Sequence, residues 1–241
     1  MPVLGLLLQG KESGLIMGEI VQGKIVDMDA YGFTVRIPYQ NIHAAVHRQY
    51  EDVTCELHDG RRRSLDQNKK AWALMGEIGE WMGVRSYAIH DEVYIPLREK
   101  FTLDLWESLQ KRMFRLSKAD MSGAKDFISF LVDFCLDNDV PTKVPLYEHA
   151  DDIQHYVYSC LMHKKCAVCG KPCDLHHVDR VGMGRDRTSI DHHGLRCLPL
   201  CREHHQEAHQ HGDAAMLDKY HLETVTIDDE IIKLYKLGGK K

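Results

Sequence analysis

Six of the eight cysteines, Cys160, Cys166, Cys169, Cys173, Cys197 and Cys201, fall within 42 consecutive positions, and 12 of the 16 histidines lie between His149 and His221. Cys166 and Cys169 form a C-x2-C pair, and Cys201 with His204 repeats that spacing 32 residues after Cys169. Two such half-sites supply the four soft or borderline ligands that tetrahedral Zn²⁺ takes. One C-x2-C alone would also suit a redox pair. The second half-site favours a structural zinc ion held by Cys166, Cys169, Cys201 and His204. Cys173 and Cys197 are spare thiols that could replace His204, although neither reproduces the two-residue spacing to Cys201.

A second set of histidines is interleaved with the first. Asp174-Leu175-His176-His177-Val178 reads as a strand, and successive strand side chains point to opposite faces, so the paired histidines serve two different surroundings. Beyond the second half-site, His205 and His209 are four apart in a segment, REHHQEAHQ, that reads as helix. They project from one face, a spacing suited to capturing a metal ion. The intervening loop, DRVGMGRDRTSIDHHG, is rich in glycine and basic residues. Its His192 and His193, with Arg180, Arg185, Arg187 and Arg196, are expected to meet backbone phosphates, contacts that set register without reading sequence. His149, His155, His163, His211 and His221 are expected at the surface.

A zinc knuckle, a strand ending in His-His, a loop and a helix bearing His-x3-His together resemble the HNH, or ββα-metal, nuclease fold over about residues 160 to 212. The resemblance implies that His177 is the general base that activates water. It also implies that His176, His205 and His209 hold a catalytic divalent ion, Mg²⁺ or Mn²⁺, against the scissile phosphate. Neutral imidazole near pH 7 suits that proton abstraction. One position departs from the family. An Asn nine residues before the first helical histidine is usual there, and this chain has Arg196, with no Asn between Val178 and Cys201. Asp191, His192, His193 or the Arg196 backbone could orient the base instead.

The elements that must position these residues fit an α+β reading. The 241 residues, at roughly 150 per domain, allow one large domain or two modest ones. From Gly18 to about Leu57, short β-branched and aromatic runs broken by Asp29, Gly32, Pro38 and Gly60 predict a small antiparallel meander. Ser64 and Gln67 make a capping box for a helix carrying Ala71, Trp72, Met75, Ile78 and Met82 up to Gly83. Further helices are expected in LDLWESLQKRMF, SGAKDFISFLVDFCLDN and EHADDIQHYVYSCL. Pro141 and Pro145 mark a boundary between a first domain, 1–145, and a second, 146–241. After Gly212 a short helix, AAMLDKYH, and a hairpin, ETVTI-DD-EIIKLYKL, are expected.

The segment RRRSLDQNKKAWALMGEIGEWMG, a strand leading through a turn into a Trp-bearing helix, resembles the phage Orf (NinB-type) recombination mediators; MSGAKDFISFLVDFCLDNDVPTK is a weaker echo. The similarity covers about residues 50 to 145. It implies a homodimer that binds single-stranded or branched DNA and works with a recombinase or single-strand-binding protein. At the strand-to-helix junction Arg61, Arg62, Arg63, Lys69 and Lys70 could meet phosphates together with backbone amides.

Charge agrees once it is mapped. The net charge is -5, from 31 Lys and Arg against 36 Asp and Glu. Residues 61–70 alone carry five basic groups and one acid, and residues 164–202 carry eight and four, so both stretches are net positive within an acidic chain. No run approaches the roughly 18 apolar residues that span a bilayer. VLGLLL is short and has no basic residue before it, so it does not read as a secretory signal. An intracellular protein is expected, cytoplasmic in a bacterial host if phage-encoded, which makes the cysteines metal ligands rather than a disulfide framework. Together these features predict a phage-type recombination protein that binds DNA and cleaves it at a metal-dependent HNH site. The alternatives are a non-catalytic mediator with a zinc-held HNH-like platform, which Arg196 favours, and a zinc-finger adaptor, which leaves four histidines without a role.

Overall fold

The capping box at Ser64 forms. Ser64 Oγ accepts from the Gln67 amide at 3.0 Å, and Gln67 Oε1 accepts from the Ser64 amide at 3.0 Å. Helix α1, Leu65–Met82, starts there and ends at Gly83, whose φ of 75° lies in the left-handed region glycine tolerates. The computed structural model describes residues 4–8, 19–38, 43, 46–47, 53–57, 59–109, 113–179 and 191–237. Arg180, Arg185 and Arg187 therefore lie outside the described residues. The described chain mixes helices with small antiparallel sheets and is α+β.

Two compact units form, Met1–Arg63 with Lys118–Ser122, and Ser64–Ser117 with Gly123–Lys241. The expected boundary at Pro141 and Pro145 falls inside the second unit, which holds both the Trp-bearing helix and the cysteine and histidine segment.

In the first unit, strands β1 (Leu4–Leu8), β2 (Glu19–Asp29), β3 (Gly32–Arg36) and β4 (Val53–Glu56) make an antiparallel sheet in the order β3-β2-β1-β4. The β2-β3 hairpin turns at Asp29, whose carboxylate accepts from the Tyr31 and Gly32 amides. The meander expected from the sequence is corrected at its last strand. β4 pairs with β1, Leu7 opposite Thr54, because the apolar N-terminal run supplies an inner strand of its own.

In the second unit, α1 buries Ala71, Leu74, Met75 and Ile78 completely, the i, i+3, i+4, i+7 face of a 3.6-residue period. Trp72 and Met82, expected on that stripe, are 37% and 50% exposed: Trp72 sits about 100° away from Ala71, and Met82, though on the line of the stripe, is the last residue of the helix. The second helix lies earlier than expected, as α2, Ile95–Leu109, which continues directly from a π-helical turn at His90–Tyr94 just before Pro96. α3, Met121–Asp137, buries Phe127, Ile128, Leu131 and Cys135, whereas Phe134, at helical spacing on the same apolar stripe, is only half-buried. The next expected helix is broken in two, α4 (Leu146–His149) and α5 (Ile153–Met162). Asp152 causes the break, since its carboxylate caps α5 by accepting from the His155 amide at 3.0 Å.

Strands β5 (Asp174–His177), β6 (Arg196–Leu200) and β7 (Val225–Thr226) form a second antiparallel sheet in that order. Helices α6 (Arg202–His211) and α7 (Asp213–Tyr220) follow β6. The C-terminal hairpin is a further correction. ETVTI contributes β7, but the partner segment is helix α8, Asp229–Tyr235, capped by Asp228 accepting from the Ile231 amide at 2.9 Å. Ile231 joins Leu161, Cys197 and Ile227 in the core beneath this sheet, with Ile232 and Tyr235 against it. Apolar residues at helical spacing thus prevail over β-branching. No helix among the described residues is long and apolar enough to cross a membrane.

Candidate functional site

The C-x2-C turn is built by backbone pairing. The Cys166 amide donates to the Lys171 carbonyl at 2.7 Å, and the Gly170 amide returns to the Cys166 carbonyl at 2.9 Å, with Gly170 at a φ of 68°. The Ala167 amide donates to Pro199 of β6, which leads directly to Cys201. Cys201 is the residue before α6, and His204 follows within the first turn of that helix.

Cys166 Sγ lies 3.5 Å from His204 Nδ1, Cys201 Sγ lies 3.1 Å from the same nitrogen, and Cys169 Sγ lies 3.6 Å from Cys201 Sγ. All four ligand atoms lie within 4.8 Å of one another. Ligands of tetrahedral zinc, with bonds of about 2.0 to 2.3 Å, are separated by roughly 3.3 to 3.8 Å, so the four groups fit one ion. Burial pushes the Cys166 thiol up to about 12. At Cys201 the same burial is outweighed by the His204 amide and the Cys169 and Cys166 thiols, which hold it below the ordinary value. Cys173 and Cys197 take other places. Cys173 lies 3.7 Å from the Tyr235 hydroxyl, and Cys197 is in the core.

The strand alternation separates His176 from His177. His176 is only 3% exposed and faces α6, where its ring centroid is 4.7 Å from that of His205 and 5.2 Å from that of His209. One nitrogen from each of these three residues lies within 4.8 Å of the others. Burial, then His176 and His209, lower the His205 pKa, which favours the neutral ligand form. Three imidazoles, buried at His176 and exposed at His209, fit a divalent transition ion. His176 Nε2 also lies 2.8 Å from Asp213 Oδ1 at the start of α7.

His177 lies on the other face of β5, its Nε2 3.0 Å from Nδ1 of His192. His192, expected to meet phosphate, is instead buried at 8% exposure. Its segment is anchored because the Gly194 amide donates to Ile227 and the Leu195 amide to His192. His193 remains exposed. Arg196, in the position where HNH proteins have Asn, turns its side chain to Asp179. Its Nε donates to Asp179 Oδ1 at 3.0 Å, and its amide donates to Asp179 Oδ2 at 2.7 Å, so it ties the end of β5 to β6. That pair holds the Asp179 carboxyl below its ordinary range.

The other expected DNA contacts fall in both units. Within the first, Arg61 forms a two-pronged pair with Asp59, exposed Arg62 pairs with Asp120 through backbone, and the Arg63 amide donates to Ala119. Within the second, Lys69 makes a surface pair with Asp66, and Lys70 reaches Asp151 at 2.7 Å. His149, expected at the surface, is 7% exposed. Asp213 was not anticipated; its only signal in the sequence is an acid four residues after His209, following Gly212.

A 56-residue stretch, 23% of the chain, is 45% identical to the uncharacterized protein YdfU of Escherichia coli K12, and spans 15% of that protein's length. No solved structure matches the chain. Residues 36–238 match a family model described as "Putative HNHc nuclease". This match runs through both the arginine-bearing segment and the cysteine and histidine segment, and the chain belongs to this HNH nuclease family.

Proposed function

We propose that this chain is a metal-dependent HNH endonuclease acting on DNA, with β5, β6 and α6 as its ββα-metal unit. The observation that carries the reading is the convergence of His176, His205 and His209 on one side of β5, while the adjacent His177 is held by His192 on the other. His177 is the general base that takes a proton from water, and His192 replaces Asn as the group that orients it. His176, His205 and His209 would hold a divalent ion, which when bound would supply charge stabilisation at the scissile phosphate and the leaving oxygen. An all-nitrogen donor set favours Mn²⁺ over Mg²⁺. Cys166, Cys169, Cys201 and His204 hold structural zinc, which fixes the start of α6 and so the positions of His205 and His209.

Arg180, Arg185, Arg187 and Arg196 serve as phosphate contacts near this site, with Arg196 having to share its guanidinium with Asp179. Arg61, Arg62, Arg63, Lys69 and Lys70 supply further contacts, in keeping with the Orf resemblance. On that resemblance the substrate is single-stranded or branched DNA, the setting is recombination in a bacterial cytoplasm, and the working form is a homodimer. A recombinase or single-strand-binding protein is then the partner.

The test is a cleavage assay of unsubstituted protein and His177→Ala on single-stranded, duplex and branched DNA, with Mn²⁺, Mg²⁺ or EDTA. Metal-dependent cutting lost in the variant supports the enzyme. A second reading, a non-catalytic DNA-binding mediator, is favoured by Arg196 at the Asn position. Tight DNA binding by both proteins with no cutting in any metal would establish it.

A further inference from the structure

The buried imidazole of His176 makes one polar contact that the nuclease motif does not account for. Its Nε2 lies 2.8 Å from Asp213 Oδ1. His176 is 3% exposed, so an N–H at that position needs an acceptor, and a carboxylate is the strongest available. Asp213 is held in place by its backbone. Gly212, with φ 88° and ψ 149°, separates α6 from α7, so Asp213 opens the second helix just beyond the turn carrying His209. Met216, 2% exposed, anchors α7 one turn later. The nearby Arg196 guanidinium is already paired with Asp179, leaving the Asp213 carboxylate to His176.

We propose that Asp213 is the positioning residue of the three-histidine ion site, accepting the Nε2 proton of His176 and so leaving its Nδ1 as the lone pair offered to a divalent transition ion. The inference rests on the reading of His176, His205 and His209 as an ion site. Three neutral imidazoles bring no negative charge to a dication, and a carboxylate on the far nitrogen makes the ligand more basic and locks its ring. Asp213 is not among the residues whose ligand atoms cluster within 4.8 Å of one another, and its carboxylate meets His176 at Nε2. The competing role is purely structural, because an acid in the first turn of a helix also stabilises that helix.

The experiment measures Mn²⁺ binding to zinc-loaded full-length protein by calorimetry, with zinc content and melting temperature recorded for each variant. Asp213→Ala is expected to weaken Mn²⁺ binding about 10- to 100-fold with zinc content unchanged. Asp213→Asn, whose amide oxygen still accepts from Nε2, is expected to recover most of that loss. Asp213→Ala binding Mn²⁺ as tightly as the unsubstituted protein, even with a lowered melting temperature, would reduce Asp213 to a helix-capping acid. Asp213→Asn as weak as Asp213→Ala would overturn the hydrogen-bond role. A readout that needs no substitution is the ¹⁵N spectrum of His176, expected to show the Nε2–H tautomer; a proton on Nδ1 in the metal-free protein would overturn the proposal. If His205→Ala and His209→Ala also leave Mn²⁺ binding unchanged, the ion site itself fails, an outcome separate from the failure of Asp213 alone.

Discussion

His177 Nε2 and His192 Nδ1 lie 3.0 Å apart, although 15 residues separate them in the chain. Two neutral imidazoles joined in this way must share a tautomer, both Nε2–H with His177 donating or both Nδ1–H with His192 donating, because one contacting nitrogen donates and the other accepts. If His177 donates from Nε2, its lone pair is on Nδ1 and the imidazolium formed by proton abstraction keeps its hydrogen bond. His192→Ala should therefore lower kcat about 100-fold with little change in KM, while His192→Asn, which restores the residue type usual in HNH sites, should recover much of the rate. Equal cleavage by His192→Ala would show that His192 does not orient the base.

Cys201→Ser should lose zinc. Cys201 contacts both Cys169 and His204 and immediately precedes α6, so the helix carrying His205 and His209 should lose its anchor. Metal analysis should show the loss, and Mn²⁺ binding should fall with it. A Cys201→Ser protein with full zinc content and native melting would remove Cys201 from the ligand set.

His149 should make stability depend on pH. Burial is the main cause of its lowered pKa, opposed by Glu77 and assisted by Lys70, and its Nε2 has no hydrogen-bond partner. With the folded pKa below an unfolded value of about 6.5, the unfolded chain binds the proton first. The stability is thus present above about pH 6.5 and is lost as pH falls through the folded pKa. His149→Phe should reduce the drop in melting temperature between pH 7 and pH 5. An unchanged drop would assign acid sensitivity to other groups.

Ser64→Ala should cost about 1 kcal/mol in urea unfolding of the full chain, because it removes the oxygen that accepts the Gln67 amide at the start of α1. The same variant should leave Mn²⁺ binding unchanged. A loss of several kcal/mol would mean that Ser64 does more than cap α1.

Short-range patterns carried the parts that were legible in the sequence. The Ser64 and Gln67 capping box and Gly83 bounded α1, because caps act within a few residues. The repeated two-residue spacing of Cys166 with Cys169 and Cys201 with His204 identified four groups that do converge, since metal-ligand spacing is local in each half-site. Alternation along β5 already put His176 and His177 on opposite faces. Tertiary structure decided which long-range partner each side chain met. β4 paired with β1 because strand pairing is not encoded in local periodicity, and residues 229–235 became helix because Ile231 found a core beneath β6. His192 stood as one of four candidates to meet His177 and nothing local singled it out, and nothing local indicated that Arg196 would be occupied by Asp179 or that Asp213 would reach His176. Each of these contacts closes a loop of 15 residues or more, and only the folded chain brings their ends together.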